Sequence, residues 1–326
     1  MSERQPSAIP ATEPPTSNEA ELARKRRAKL AVRFAGLLLV LVSLAFVVQR
    51  LSQHLGVFSD HFEEVSLSLM VGGLLVFTSS QLLLSTAWYL LLRWQGVRSV
   101  RAIDCHVLCG RAQISKYIPG NVFQYVARHL AFRRLGVSDG SLMLAVAYET
   151  LSFVIAAGLL VALGLPFFAS EASVISPRLA ALVGLVAILV LVAMVRFGRP
   201  LLRLVGRAPP DGADLRVTQV LSVVPLYAIF LSLSGCLALA LHRSAGGEAT
   251  LGLALIPAYS LAWLCGYVVP GASGGFGIRE ATLLVLLGDN PQGLFVSIGM
   301  RLITTSGDVL WFALSSLVDQ LLRPKA

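Results

Sequence analysis

Charge is scarce in this chain. Asp, Glu, Lys and Arg make up 14% of its 326 residues, against about a quarter in a soluble domain. With 56% hydrophobic residues and a mean hydropathy of +0.74, a water-soluble globular protein is excluded and an integral membrane protein is indicated. Cysteine is sparse as well. Cys105, Cys109, Cys236 and Cys265 lie within or beside apolar segments and form no C-x-x-C pair. Cys105 and Cys109 share a helix face at i, i+4, but no set of His or carboxylate stands at ligand spacing, so packing is their expected role and no metal site is expected. Catalytic signatures are missing too. His54, His61, His106, His129 and His242 are scattered, with no H-E-x-x-H and no G-x-S-x-G. The glycine-rich run 271–277 has no strand before it and no Lys-Ser/Thr after it, so it is not a nucleotide loop. Neither a catalytic set nor a cofactor site is expected, and the chain does not read as an enzyme.

The net charge of +9 invites a nucleic-acid reading. It fails, because the basic residues fall in loops between apolar spans, as the positive-inside rule expects. Residues 1–23 are rich in Pro, Ser, Thr and Glu and read as a disordered cytoplasmic tail. Arg24, Lys25, Arg26, Arg27, Lys29 and Arg33 follow, then an apolar run to Val48. This is the pattern of an uncleaved signal anchor with its N-terminus in the cytoplasm. Further runs of about 20 residues or more, enough to cross a bilayer, lie at 65–92, 141–167, 179–197, 217–241 and 292–322. Gly36, Gly72 and Gly73 are expected at close helix contacts.

Two more apolar regions, 104–134 and 250–288, are each split by Pro-Gly. The first reads Lys116-Tyr117-Ile118-Pro119-Gly120-Asn121. The second reads Pro270-Gly271-Ala272-Ser273-Gly274-Gly275-Phe276-Gly277. In both, an Arg stands nine residues after the proline, Arg128 and Arg279, and the prolines are 151 residues apart. The same offset carries the span at 65 onto that at 217, and the span at 141 onto that at 292. If both Pro-Gly regions are re-entrant hairpins, the cytoplasmic side holds 22 of the 27 Lys and Arg, a strong bias. The expected fold is all-α and polytopic: six transmembrane helices plus two re-entrant Pro-Gly hairpins in a 3+3 inverted repeat, a plan of secondary transporters. One transmembrane domain, 24–322, contains halves of about 33–170 and 179–322. Residues 323–326 form a second cytoplasmic tail.

Broken backbone at membrane depth survives only where it is buried in protein or lines a wet cavity. The returning arm of each hairpin would aim its N-terminal amides into the membrane, where they favour an anion. Gly274, Gly275 and Gly277 would let a ligand approach, and Arg128 and Arg279 suit phosphate through their planar fork. Arg111 and Lys116 are further candidates on the entering arm. The competing reading is tight helix packing at the glycines and arginines that snorkel to an interface. Three acids, Glu149, Glu280 and Asp308, stand in apolar settings and should pair with cations. Arg301, seven residues before Asp308, shares its helix face. Glu280, beside Arg279 in sequence, should pair with another element. These four residues either couple transport to charge movement or simply neutralise one another.

At 116–121 and 270–280 the chain resembles the flippase-like transmembrane domain of the lysylphosphatidylglycerol synthase family, whose members carry a K-Y-x-P-G motif and a later P-x-x-x-G-G-x-G-x-R-E motif. The resemblance covers about 33–322. It implies a stand-alone form without the soluble aminoacyltransferase domain, hence lipid movement rather than lipid synthesis. It also implies a cavity lined by re-entrant segments, including Tyr117, Pro119, Gly120, Asn121, Pro270 and Gly271. The expected protein sits in a bacterial inner membrane with both termini cytoplasmic. It translocates or binds an anionic lipid headgroup, of a phospholipid or a polyprenyl-phosphate-linked sugar. The alternatives are a non-catalytic membrane subunit supporting an envelope glycosyltransferase or lipid-modifying enzyme and, further off, an intramembrane transferase.

Overall fold

The computed structural model describes residues 67–118, 122–164, 217–247, 253–268, 273–287 and 291–322, together with Leu189, Val192 and Arg196. The expected first span, nearly all of the fourth, both tails, and Pro119, Gly120, Asn121, Pro270 and Gly271 lie outside these residues. Among the described residues there is helix and no strand.

In chain order the helices are α1 (Leu67–Trp94), α2 (Ala102–Gln113), α3 (Phe123–Arg133), α4 (Asp139–Gly164), the short α5 (Val217–Leu221), α6 (Val224–Ser244), α7 (Leu255–Val268), α8 (Ile278–Leu287) and α9 (Pro291–Leu322). A 3-10 turn, Ile114–Tyr117, continues α2, and another, Ser273–Gly275, precedes α8. Three stretches are long and apolar enough to cross a membrane: α1, α4, and α5 with α6 taken as Val217–Ser244. They make this a membrane protein. Each coincides with an expected span. The expected sixth span forms a single 32-residue helix, α9. It is not among the apolar three, because Arg301, Thr304, Thr305 and Asp308 interrupt its hydrophobic run.

At the centre stands α6, packed against α1, α4, α7 and α9. Phe153 of α4, Phe230 of α6 and Trp263 of α7 meet there, with Phe230 and Trp263 edge to face at 5.3 Å. Gly235 allows the α6–α7 contact, since a Cβ there would stand 2.6 Å from the Ile256 Cα. Gly73 does the same for α1 and α9, with a Cβ position 2.9 Å from Ile303 Cδ1. Gly72 differs from the expectation: its Cβ position meets nothing within 4 Å. A second core forms where α2 and α3 fold back on α1 and α4, around Trp88, Cys105, Phe132 and Leu142. Thus α2, its 3-10 turn and α3 make one arm-and-return unit. The sequence α7, turn and α8 makes another, and the two 3-10 turns touch.

Candidate functional site

Where the two turns meet, the bundle holds a cavity of roughly 890 Å3 of atom-free space, its mouth included. Lys116, Arg128, Glu149, Gly274, Gly275 and Arg279 line it, along with Gln81, Gln124, Tyr125, Trp263 and Tyr267. The two arginines placed nine residues after their prolines therefore reach one space. They reach it in different electrostatic states.

Arg128 projects from α3 and holds both oxygens of Glu149 on α4 in a fork-to-fork ion pair. Its guanidinium carbon also lies 3.7 Å from the centre of the Trp88 ring. The carboxylate bonds the edge of the guanidinium and the ring covers one of its faces. Arg279, in the first turn of α8, is 7% exposed and makes no ion pair within 4.0 Å among the described residues. Its guanidinium carbon lies 3.6 Å from the Trp263 ring centre, its Nη2 donates weakly to the Gly274 carbonyl at 3.4 Å, and its Nε has no partner. A buried cation held only by a ring and a carbonyl is costly in a low dielectric unless an anion completes it.

Lys116 leaves the end of the first 3-10 turn and meets Asp308 of α9 at 2.6 Å. Asp308 is fully buried and accepts three more hydrogen bonds, from Gln81 at 2.7 Å, Tyr117 at 2.6 Å and Gln113 at 3.2 Å. Four donors around one carboxylate fix the junction of α1, α2 and α9. Arg301 does not meet Asp308, although both stand on α9. Its Nη1 lies 3.3 Å from Glu280 and donates to the Gly274 carbonyl at 3.1 Å. Helical spacing put the two residues on one face, but the elements packed against α9 at each level decided their partners.

Glu280 pairs across elements as expected, and it has a second task. Its Oε2 accepts the backbone N–H of Gly277 at 2.7 Å, the reach-back half of a capping box. The N-terminus of α8, read from sequence as open to a ligand anion, thus already holds a carboxylate of the chain itself. The glycines also differ from expectation in what approaches them. Gly274, Gly275 and Gly277 have φ of +59°, +72° and +80°, a region that glycine adopts without strain. The neighbours nearest a Cβ on Gly274 would be Tyr117 and Lys116, and on Gly275 the Gly266 backbone and the Arg279 guanidinium. Close approach here is protein to protein. At α3, by contrast, the N-cap Val122 supplies no side-chain cap.

Arg111 does not reach the cavity. It is half-exposed and forms an ion pair with Asp319 near the end of α9. Tyr117 does not line the cavity; its hydroxyl is turned to Asp308. Sequence reasoning did not single out Gln81, Gln113, Trp88 and Trp263, nor the Tyr125–Tyr267 hydroxyl pair at 2.8 Å, which Thr150 joins at 3.2 Å. The signal available was a polar or aromatic side chain inside an apolar span, which also describes ordinary core. Among the described residues no three His, Cys, Asp or Glu gather as metal ligands. In comparison with known proteins, no family model matches the chain, and no curated protein matches it.

Proposed function

We propose that this protein binds an anionic lipid headgroup in the central cavity and moves it across the membrane without chemical change. The observation that carries the reading is Arg279: buried at the wall, stacked on Trp263, and short of a carboxylate. Lys116 and Arg128 add positive charge to the same space, each already paired. A phosphate entering there finds one cation in need of an anion and polar donors around it. Arg, with its planar fork, is the side chain suited to a phosphodiester. A cavity reaching both arm-and-return units favours movement over a purely scaffolding role, which calls for a sealed core. The resemblance at 116–121 and 270–280 points the same way, toward a phospholipid or a polyprenyl-phosphate-linked sugar as cargo.

The architecture belongs to this proposal: six crossings, two re-entrant hairpins and an inverted repeat in a bacterial inner membrane, both termini cytoplasmic. The helix pairings support it. Exchanging the halves sends α1 to α6, α2 to α7, α3 to α8 and α4 to α9. Under that exchange the α1–α2 contact becomes α6–α7, α2–α9 becomes α7–α4, α3–α4 becomes α8–α9, and α1–α4 becomes α6–α9. All eight pairings are present. Two halves built alike, meeting at a cavity, are the arrangement that alternating access uses.

The test is lipid movement in proteoliposomes. Purified protein is reconstituted with a tail-labelled fluorescent phosphatidylglycerol, and dithionite quenches the outer leaflet. Protein-dependent loss of the inner-leaflet signal is expected, with a neutral diacylglycerol analogue giving none beyond its own background. Equal protection with and without protein, for both phosphatidylglycerol and a polyprenyl-phosphate sugar, overturns the reading.

A further inference from the structure

Behind Arg279, away from the large cavity, lies a second and much smaller one. Its atom-free space, mouth included, is about 190 Å3, against about 890 Å3 for the first. It sits among α7, α8 and α9, lined by Tyr259, Arg279, Glu280, Ser297, Arg301 and Thr304 with two apolar neighbours. Its wall has an unusual property. The Tyr259 hydroxyl, the Ser297 hydroxyl, Nε of Arg279, and Nε and Nη2 of Arg301 are all buried with no hydrogen-bond partner among the described residues. Every one of these groups is able to donate. Leaving a buried donor unmade is costly, and more so when the group is charged. Five around one small space are not an incidental packing fault.

The charges agree. Two cations, Arg279 and Arg301, face the pocket against one carboxylate, Glu280. That carboxylate is engaged by Arg301 and by the Gly277 amide. The neighbouring Lys116–Asp308 pair is neutral as a unit. One positive charge therefore remains without a protein partner. Water satisfies donors but does not neutralise that charge, and the space is too small for a lipid headgroup.

We infer that this pocket is a binding site for one small monovalent anion of chloride size, held by Tyr259, Ser297 and the guanidinium groups of Arg279 and Arg301. The ion completes the charge balance where α8 and α9 meet. It also fixes the inner edge of the guanidinium whose outer edge faces the large cavity. The inference survives if no lipid is moved; it draws on the same unpaired charge of Arg279, so a bound ion and a lipid phosphate compete for that guanidinium.

Purified protein in detergent is assayed in two ways: thermal unfolding in chloride against gluconate at fixed ionic strength, and direct binding of chloride-36. A saturable, chloride-specific rise in Tm is expected, on the order of 5 °C at a hundredfold excess over Kd. Saturable chloride-36 binding at one site per chain should accompany it. Ser297→Ala and Tyr259→Phe each remove one donor without changing charge, and each should weaken the binding midpoint about tenfold. The same Tm in both salts with no chloride-36 bound overturns the inference, and means that water alone fills the pocket. Binding that both conservative variants leave unchanged also overturns it, by placing the ion elsewhere.

Discussion

The guanidinium of Arg279 lies flat on the ring of Trp263, 3.6 Å from its centre, with no carboxylate closing its other side. Arg128, its counterpart in spacing, has the same ring contact with Trp88 and a carboxylate as well. The register explains the difference. At the 151-residue offset, Glu149 of α4 corresponds to Met300 of α9, next to Arg301. The acid that closes Arg128 has an apolar methionine at its counterpart position, and Arg301 falls opposite Thr150. The asymmetry gives the second half the open positive site.

Replacing Arg279 by Lys separates recognition from mere charge. Lysine keeps the cation but loses the planar fork and much of the ring stacking. Lipid movement should fall at least tenfold while the protein stays folded and abundant. Initial rates in the proteoliposome assay, read beside membrane levels, decide it. Full activity in Arg279→Lys leaves the residue only a structural role.

The Asp308 network makes a different prediction. Lys116 and Asp308 touch, whereas Arg301 and Asp308 do not. In double-mutant cycles of thermal stability, Lys116→Met with Asp308→Leu should show a coupling of about 1–3 kcal/mol. The double replacement should be milder than Asp308→Leu alone, which strands a buried ammonium. The Arg301→Met and Asp308→Leu pair should be additive within about 0.5 kcal/mol. Strong coupling in that second cycle contradicts the partner assignment.

Much of this was legible before any coordinates. The runs at 65–92, 141–167 and 217–241 became membrane-length helices because at most one charge, Glu149, interrupts the apolar pattern of any of them. The lone Arg nine residues after each Pro-Gly pointed to two side chains that do line one cavity. What escaped was the choice of partners, which long-range packing sets. Trp88 and Trp263 look like core in an apolar run, and only the approach of Arg128 and Arg279 makes them charge-bearing platforms. Periodicity joined Arg301 to Asp308, yet Lys116, carried across α9 by a 3-10 turn, took the acid instead. The amide of Gly277 looked free because a capping glutamate three residues on was read only as a charge.

Glycines give a prediction that sequence alone would get half wrong. Gly72 and Gly235 both lie inside apolar helices. Gly72→Ala meets open space and removes a flexible residue from a helix, so it should be neutral or stabilising by up to about 1 kcal/mol. Gly235→Ala drives a methyl to 2.6 Å from the Ile256 backbone, and overpacking of this kind costs about 1–3 kcal/mol. Comparative unfolding in the same detergent checks the pair. Equal Tm changes of the same sign would mean that α6 and α7 do not pack through Gly235.

The proposed topology is open to labelling from outside the cell. Six crossings and two re-entrant hairpins place the 288–290 connection on the outer face and the basic run Arg196, Arg199, Arg203 and Arg207 in the cytoplasm, as the positive-inside rule requires. With the four native cysteines replaced by Ala or Ser, Asn290→Cys should react with a membrane-impermeant maleimide in intact cells. Arg207→Cys should react only after permeabilisation. Counting either Pro-Gly region as a full crossing instead would reverse every loop that follows it. If the 104–134 region crossed alone, Arg207→Cys would label from outside and Asn290→Cys would not. If both regions crossed, Arg207→Cys would again label from outside, now together with Asn290→Cys. Labelling at 290 alone is therefore the one pattern of the three that keeps the first hairpin re-entrant.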